Sequence, residues 1–286
     1  MNELAGKIAL ITGGASGIGL SVANRLAQAG MRIAISDIEK PAMDTAVNDL
    51  LKLGHDAIGI PCDVSDENSF STMKTQLKEE FGSPTIICLN AGVGSGGPIA
   101  ENTLADWKWV IGANLWGVIH GLHFFLPELR EKNTGHIVIT ASIAGHISVP
   151  GLGPYTATKF AAVSIAETLR QELISEGSNI GVSCLCPGLV STNIWESERN
   201  RPEALMNKTP SESNEEESLM KDAYLEWIKA NAKQPSEVAE MVLKSILDDK
   251  FWIFTDDDHR EAIEARHFSI TSREELPNPP PPLLNI

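Results

Sequence analysis

Apolar positions along the chain fall into two alternating patterns. Runs of four to seven nearly continuous apolar residues occupy 7–12 (KIALIT), 31–36, 57–61, 85–89, 135–141, 180–186 (IGVSCLC) and 251–254. Between them, apolar residues recur every three or four positions, the helical period. These stretches predict helices over 17–29, 41–53, 66–81, 103–131, 155–176 and 235–248. Ile18, Val22, Leu26 and Ala29 make the stripe of the first. Pro41 suits the first turn of the second, and Ser65 is in place to cap the third.

Strands with no polar face are covered on both sides, and strands alternating with amphipathic helices read as βαβ units of a parallel sheet. Right-handed crossovers then give a doubly wound α/β Rossmann fold with seven strands. The chain is read as one domain, 1–286. Two segments break its rhythm. Residues 189–234 are too long for a plain connection and read as a helical lid over a substrate. They hold Glu212, Glu215, Glu216 and Glu217 beside Trp195, Tyr224 and Trp227. Residues 274–286 carry Pro279 to Pro282 in a row, which favours an extended tail.

The balance of 23 basic and 38 acidic residues leaves a net charge of −15. That disfavours nucleic acid and anionic membranes as partners. No uninterrupted apolar run approaches the roughly 18 residues of a membrane helix, and the first residues lack a signal peptide's pattern. The expectation is a cytoplasmic protein. Cys62, Cys88, Cys184 and Cys186 form no Cys-x-x-Cys pair, so buried thiols are expected and no metal site. His120 and His123, without acidic or thiol partners, read as packing residues.

The chemistry gathers at the ends of the strand-like runs. Gly13, Ser16, Gly17, Ile18 and Gly19 follow the first strand and open the first helix. Glycines let a backbone turn tightly near a ligand, and a helix N-terminus accepts a pyrophosphate. Asp37 ends the second strand, where a carboxylate accepts from adenosine ribose hydroxyls and repels a 2′-phosphate. This favours NAD over NADP, although Lys40 stands close by. Asp63 and Val64 follow the third strand, and Asn90, Ala91 and Gly92 the fourth. Ser142 ends the fifth. Tyr155 and Lys159 lie one helical turn apart, so the ammonium is expected to lower the phenol's pKa and make it an acid or base. Asn114, polar among apolar neighbours, reads as a packing amide or as a support for Lys159.

These motifs, in this order and at these strand ends, resemble the short-chain dehydrogenase/reductase family over roughly residues 4–255. Leu89 stands where the family often has a second asparagine. The resemblance implies a catalytic set of Asn114, Ser142, Tyr155 and Lys159. It implies that Pro187, Gly188, Val190 and Thr192 meet the nicotinamide end, and that the protein is a homodimer or homotetramer. The run 109–119 and the segment 187–201 also resemble members that oxidise aryl carbinols.

A pocket is expected between residues 93–98, residues 143–152 and the stretch after Pro187. Ile143, His146, Leu152, Leu189 and Trp195 are its substrate candidates, with Ile147, Val149 and Ile194 beside them. An apolar lining around one polar centre suits a hydrophobic, bulky or aromatic secondary alcohol and its ketone. The competing readings are an NADP-dependent ketone reductase, a dehydratase or epimerase on the same fold, a dinucleotide sensor without turnover, and a structural oligomer with a recruiting tail.

Overall fold

The computed structural model describes residues 4–207 and 231–277. Glu212, Glu215 to Glu217, Tyr224, Trp227 and Pro279 to Pro282 lie outside the described residues. Seven strands form one parallel sheet: β1 (Ile8–Thr12), β2 (Arg32–Asp37), β3 (Ala57–Pro61), β4 (Ile86–Leu89), β5 (Gly135–Thr140), β6 (Ile180–Cys186) and β7 (Trp252–Phe254). Their order is β3-β2-β1-β4-β5-β6-β7, so the winding reverses between β1 and β4. In such sheets ligands bind beyond the carboxyl ends of the strands at this switch.

Successive side chains of a strand point to opposite faces, and here both faces are apolar. Ala9 and Ile11 of β1, Ile33 and Ile35 of β2, and Ile86 and Cys88 of β4 face one layer. That layer holds α1 (Gly17–Gln28), α2 (Lys40–Lys52) and α7 (Pro235–Asp248), through Leu26, Leu50 and Val242. Leu10, Ala34, Ile87 and Leu89 face the other layer. There α3 (Glu67–Glu80), α5 (Gly117–Lys132) and α6 (Gly153–Ser175) supply Phe70, Phe125 and Leu169. All four cysteines are free and buried. His120 packs as expected, its Nδ1 2.9 Å from the Val64 carbonyl and its ring beside Phe70 and Trp116.

Four details differ from the sequence reading. Asp66, not Ser65, caps α3: its carboxylate accepts from the Ser69 N–H at 2.8 Å. The stretch predicted as one helix over 103–131 is α4 (Leu104–Ile111), a π-turn at Gly112–Trp116, and α5. Thr103 and Asp106 close a reciprocal capping box at its start. By length and composition alone Leu104–Lys132 could cross a membrane. Polar residues interrupt it, so a count of uninterrupted apolar runs does not register it. Its Val118, Phe125 and Leu129 are buried in the core. Finally, α8 (Arg260–Ser272) is absent from the sequence reading. Only Ser269 along it is buried, so no continuous apolar stripe announces it.

Candidate active site

The glycine loop and the β4 loop are bound into one wall. Thr12 Oγ1 accepts from the N–H groups of Asn90 at 3.0 Å and Ala91 at 3.2 Å. Asn90 Nδ2 donates to the carbonyls of Thr12 and Gly13, and Thr140 Oγ1 donates to Asn90 Oδ1. Gly13 has φ +62°, and a Cβ there would stand 2.8 Å from the Cα of Ala91. The two loops meet only because that position is bare. Gly19 is different. A Cβ on it would lie 2.1 Å from the Gly13 carbonyl oxygen. It packs the helix against the loop and does not line the cleft.

The cleft beyond these loops takes in Gly13, Ser16, Gly17, Ile18, Asp37, Asp63, Val64, Asn90, Ala91 and Gly92. Pro187, Gly188, Val190 and Thr192 line it farther along. Asp37 lies at its floor, 9% exposed. Its carboxylate accepts from the N–H groups of Ala15 and Glu39, both at 3.0 Å. Burial raises its pKa while these bonds oppose the rise. Each oxygen keeps a lone pair for a further donor. Asp63 is turned partly inward and accepts from the N–H and hydroxyl of Ser65.

Ser142, Tyr155 and Lys159 come together at the ends of β5 and β6. Ser142 follows β5, with Oγ accepting from the Ala144 N–H and 3.4 Å from the Pro187 carbonyl. Its bond to the Tyr155 hydroxyl lowers that phenol's pKa, but burial outweighs it and the net shift is upward. Lys159 Nζ donates to the Thr140 carbonyl at 2.9 Å and sits 5.5 Å from the centre of the Tyr155 ring. Burial pulls the ammonium down to about 8. The expected lowering of the phenol's pKa is therefore corrected: loss of water dominates at both groups.

His146 departs from expectation, and Asn114 is placed as a packing amide. Asn114, held in the π-turn, does not line the cleft. Its Oδ1 accepts from the Val93 N–H at 2.7 Å, and its Nδ2 donates to the Val93 carbonyl at 3.0 Å and toward Thr158. The side chain clamps the β4 loop and is not bonded to Lys159. His146 is turned away from the cleft. Its Nε2 is 3.3 Å from Cys186 Sγ, and its ring meets Trp252 and Phe254 on the β7 side. A histidine beside an aromatic edge strand is desolvated there, and burial lowers its pKa. Ile143, Leu152, Leu189 and Trp195 do line the cleft. Ile147 and Val149 lie in the same apolar cluster without reaching its surface.

Sequence reasoning missed the polar strap above the cleft. Residues Asn193–Asn200 form a 3₁₀ stretch whose end reaches Glu39, just past β2. Arg199 and Asn200 both donate to one oxygen of Glu39, at 2.9 and 2.8 Å. Burial raises the Glu39 pKa, but these bonds outweigh it and the net shift is downward. Next, Arg201 makes a buried ion pair with Asp106 at 2.7 Å and stacks over Trp109. His259, at the start of α8, also lines the cleft. A basic residue six or more positions past a strand carries no local signal for such contacts.

A family model described as short chain dehydrogenase matches residues 7–203. The chain belongs to the short-chain dehydrogenase family. It is 36% identical to a C alpha-dehydrogenase of Sphingobium sp. strain SYK-6, over 94% of this chain and 86% of that one. It is 30% identical to a CLA biosynthesis dehydrogenase/reductase of Lactiplantibacillus plantarum, over 93% of each chain. Among solved structures, a short-chain dehydrogenase/reductase from Burkholderia phymatum in complex with NAD matches with a TM-score of 0.91 and 36% identity. The match covers 98% of this chain and 100% of that one. This member of the family has its doubly wound fold, and it is an oxidoreductase by family.

Proposed function

We propose that the protein oxidises a hydrophobic, bulky or aromatic secondary alcohol to its ketone, and runs the reverse, with NAD as cofactor. The observation that carries this reading is the meeting of Ser142, Tyr155 and Lys159 beside the glycine loop and an apolar wall. The bare cradle at Gly13 and the helix N-terminus after it fit a dinucleotide pyrophosphate. Asp37 fits the ribose hydroxyls. Lys40, the nearest base, is engaged by Asp44 at 2.7 Å, and Arg199 is engaged by Glu39. A 2′-phosphate would therefore meet two carboxylates and no free cation from these residues. A relative called a C alpha-dehydrogenase supports dehydrogenation as the reaction.

A nicotinamide held by these residues would supply the hydride acceptor or donor. The chain's own residues move the proton. Tyr155, as phenolate, takes the alcohol proton in oxidation and returns it to the carbonyl oxygen in reduction. Ser142 holds that oxygen by a hydrogen bond. Lys159, anchored on the Thr140 carbonyl, favours the phenolate when it is protonated. Asn114 holds Val93 and so the wall opposite. Residues 189–205 wall the cleft on that side, with Trp195 and Leu189 against the substrate.

The test is Tyr155→Phe. The variant is expected to lose about 10²–10⁴-fold in turnover and to bind NADH as tightly as the natural protein, read by nicotinamide fluorescence. Full turnover would overturn the role of Tyr155. Tighter binding of NADPH than NADH would overturn the cofactor reading.

A further inference from the structure

The loop after β7 carries a polar pair that the reaction above does not use. His259 lines the cleft, and Asp256 Oδ1 lies 3.2 Å from its Nδ1. The other Asp256 oxygen accepts from Thr255 Oγ1 at 2.8 Å. Thr255 Oγ1 accepts in turn from the Gly188 N–H at 2.9 Å. The carboxylate is thus tied on one side to the imidazole and on the other, through a hydroxyl, to the turn beside the catalytic centre. Only 19% and 21% of the two side chains are exposed.

In the neutral imidazole a carboxylate on Nδ1 fixes the tautomer: the proton sits on Nδ1, and Nε2 keeps its lone pair. No hydrogen-bond partner of Nε2 is found among the described residues. The side of the cleft is also settled. Ala262 and Ile263, one turn farther along α8, pack against the buried cluster that holds Ile143 and Leu152, as Tyr155 and Trp195 do. His259 therefore stands at the substrate end and not beside Asp37. Ile143, Leu152 and Leu189 offer a substrate only apolar surface there. An oriented acceptor on such a wall selects a ligand with a matching donor, because an unmatched polar group on either side is costly.

We propose that His259, oriented by Asp256, binds a second hydroxyl of the substrate, a phenolic one, remote from the carbon that is oxidised. A phenol donates to the Nε2 lone pair. This deepens the alcohol–ketone reading and rests on it.

The experiment compares 1-(4-hydroxyphenyl)ethanol with 1-phenylethanol on the full chain with NAD. The natural protein is expected to favour the phenol by about tenfold in kcat/KM, the worth of one net hydrogen bond. In His259→Phe that ratio falls to near one. His259→Gln, which sets an amide oxygen close to the place of Nε2, regains part of it. An unchanged ratio in both variants, or no preference in the natural protein, overturns the proposal. Calorimetric binding of 4-hydroxyacetophenone against acetophenone to the NADH complex makes the same comparison without turnover. A His259-dependent difference there with no turnover of either alcohol would fell the alcohol–ketone reading and leave the contact standing. No difference in binding would overturn the contact itself.

Discussion

Lys159 shows what the candidate site costs the fold. It is 3% exposed, and burial lowers its pKa from 10.5 to about 8. A lysine that binds its proton less tightly folded than unfolded destabilises the fold while it is charged. That cost is complete below pH 8 and fades as the pH rises from about 8 to about 10.5. At about 1.4 kcal/mol per unit the shift amounts to about 3 kcal/mol. Lys159→Met, which keeps the length and removes the charge, is expected to be inactive yet more stable at pH 7. The unpaired Thr140 carbonyl in the variant offsets part of the gain. Urea unfolding at pH 7 and pH 10 checks the sign: the advantage over the natural protein shrinks at the higher pH. A variant less stable than the natural protein at pH 7 would mean that the Thr140 bond outweighs desolvation.

At the scale of elements, the stretch after β6 is held by residues whose partners lie far away in sequence. Arg201 and Asp106 have side chains only 4% and 9% exposed. Asp106 also accepts from Thr103 and Asn207, and its pKa is lowered although burial opposes this. Breaking a buried pair from one side costs about 3–5 kcal/mol. Arg201→Met is expected to raise amide exchange over 193–205 by roughly a hundredfold and to raise KM for a bulky alcohol. Unchanged exchange there would show that the 3₁₀ stretch holds without the pair. Such long-range ties explain which parts of the molecule were legible in the sequence. Periodicity located all seven strands, with ends within a residue or so, since their apolar runs meet the core on both faces. It located Ser142, Tyr155 and Lys159, whose spacing brings them to one strand edge. It missed α8, whose exposed Phe268 and Ile270 break the helical stripe. It misplaced His146, since chain proximity to Ser142 says nothing about which side of β6 a ring takes. It also missed Arg199 and His259, which reach the cleft only through the folded path of residues 187–207 and 255–260.

Taken whole, the molecule sets a local and a global field against each other. The net charge of −15 repels a dinucleotide carrying two phosphates, whereas Lys108, Lys159 and Arg199 line the cleft it would enter. Arg199 is already paired with Glu39, and Lys159 is buried and held on the Thr140 carbonyl. The approach is then governed by the distant acidic surface. That field reaches about 30 Å at 0.01 M salt and about 10 Å at 0.1 M. Raising the salt across this range is therefore expected to speed NADH association severalfold, the reverse of an attractive, steered encounter. Stopped-flow nicotinamide fluorescence gives the rate directly. Association that slows with salt would show that the cleft's own cations dominate the field at its mouth. In that case Glu39→Gln, by freeing Arg199, should steepen the salt dependence further. If the acidic surface governs, the same substitution should flatten it, because the freed guanidinium then offsets part of the repulsion.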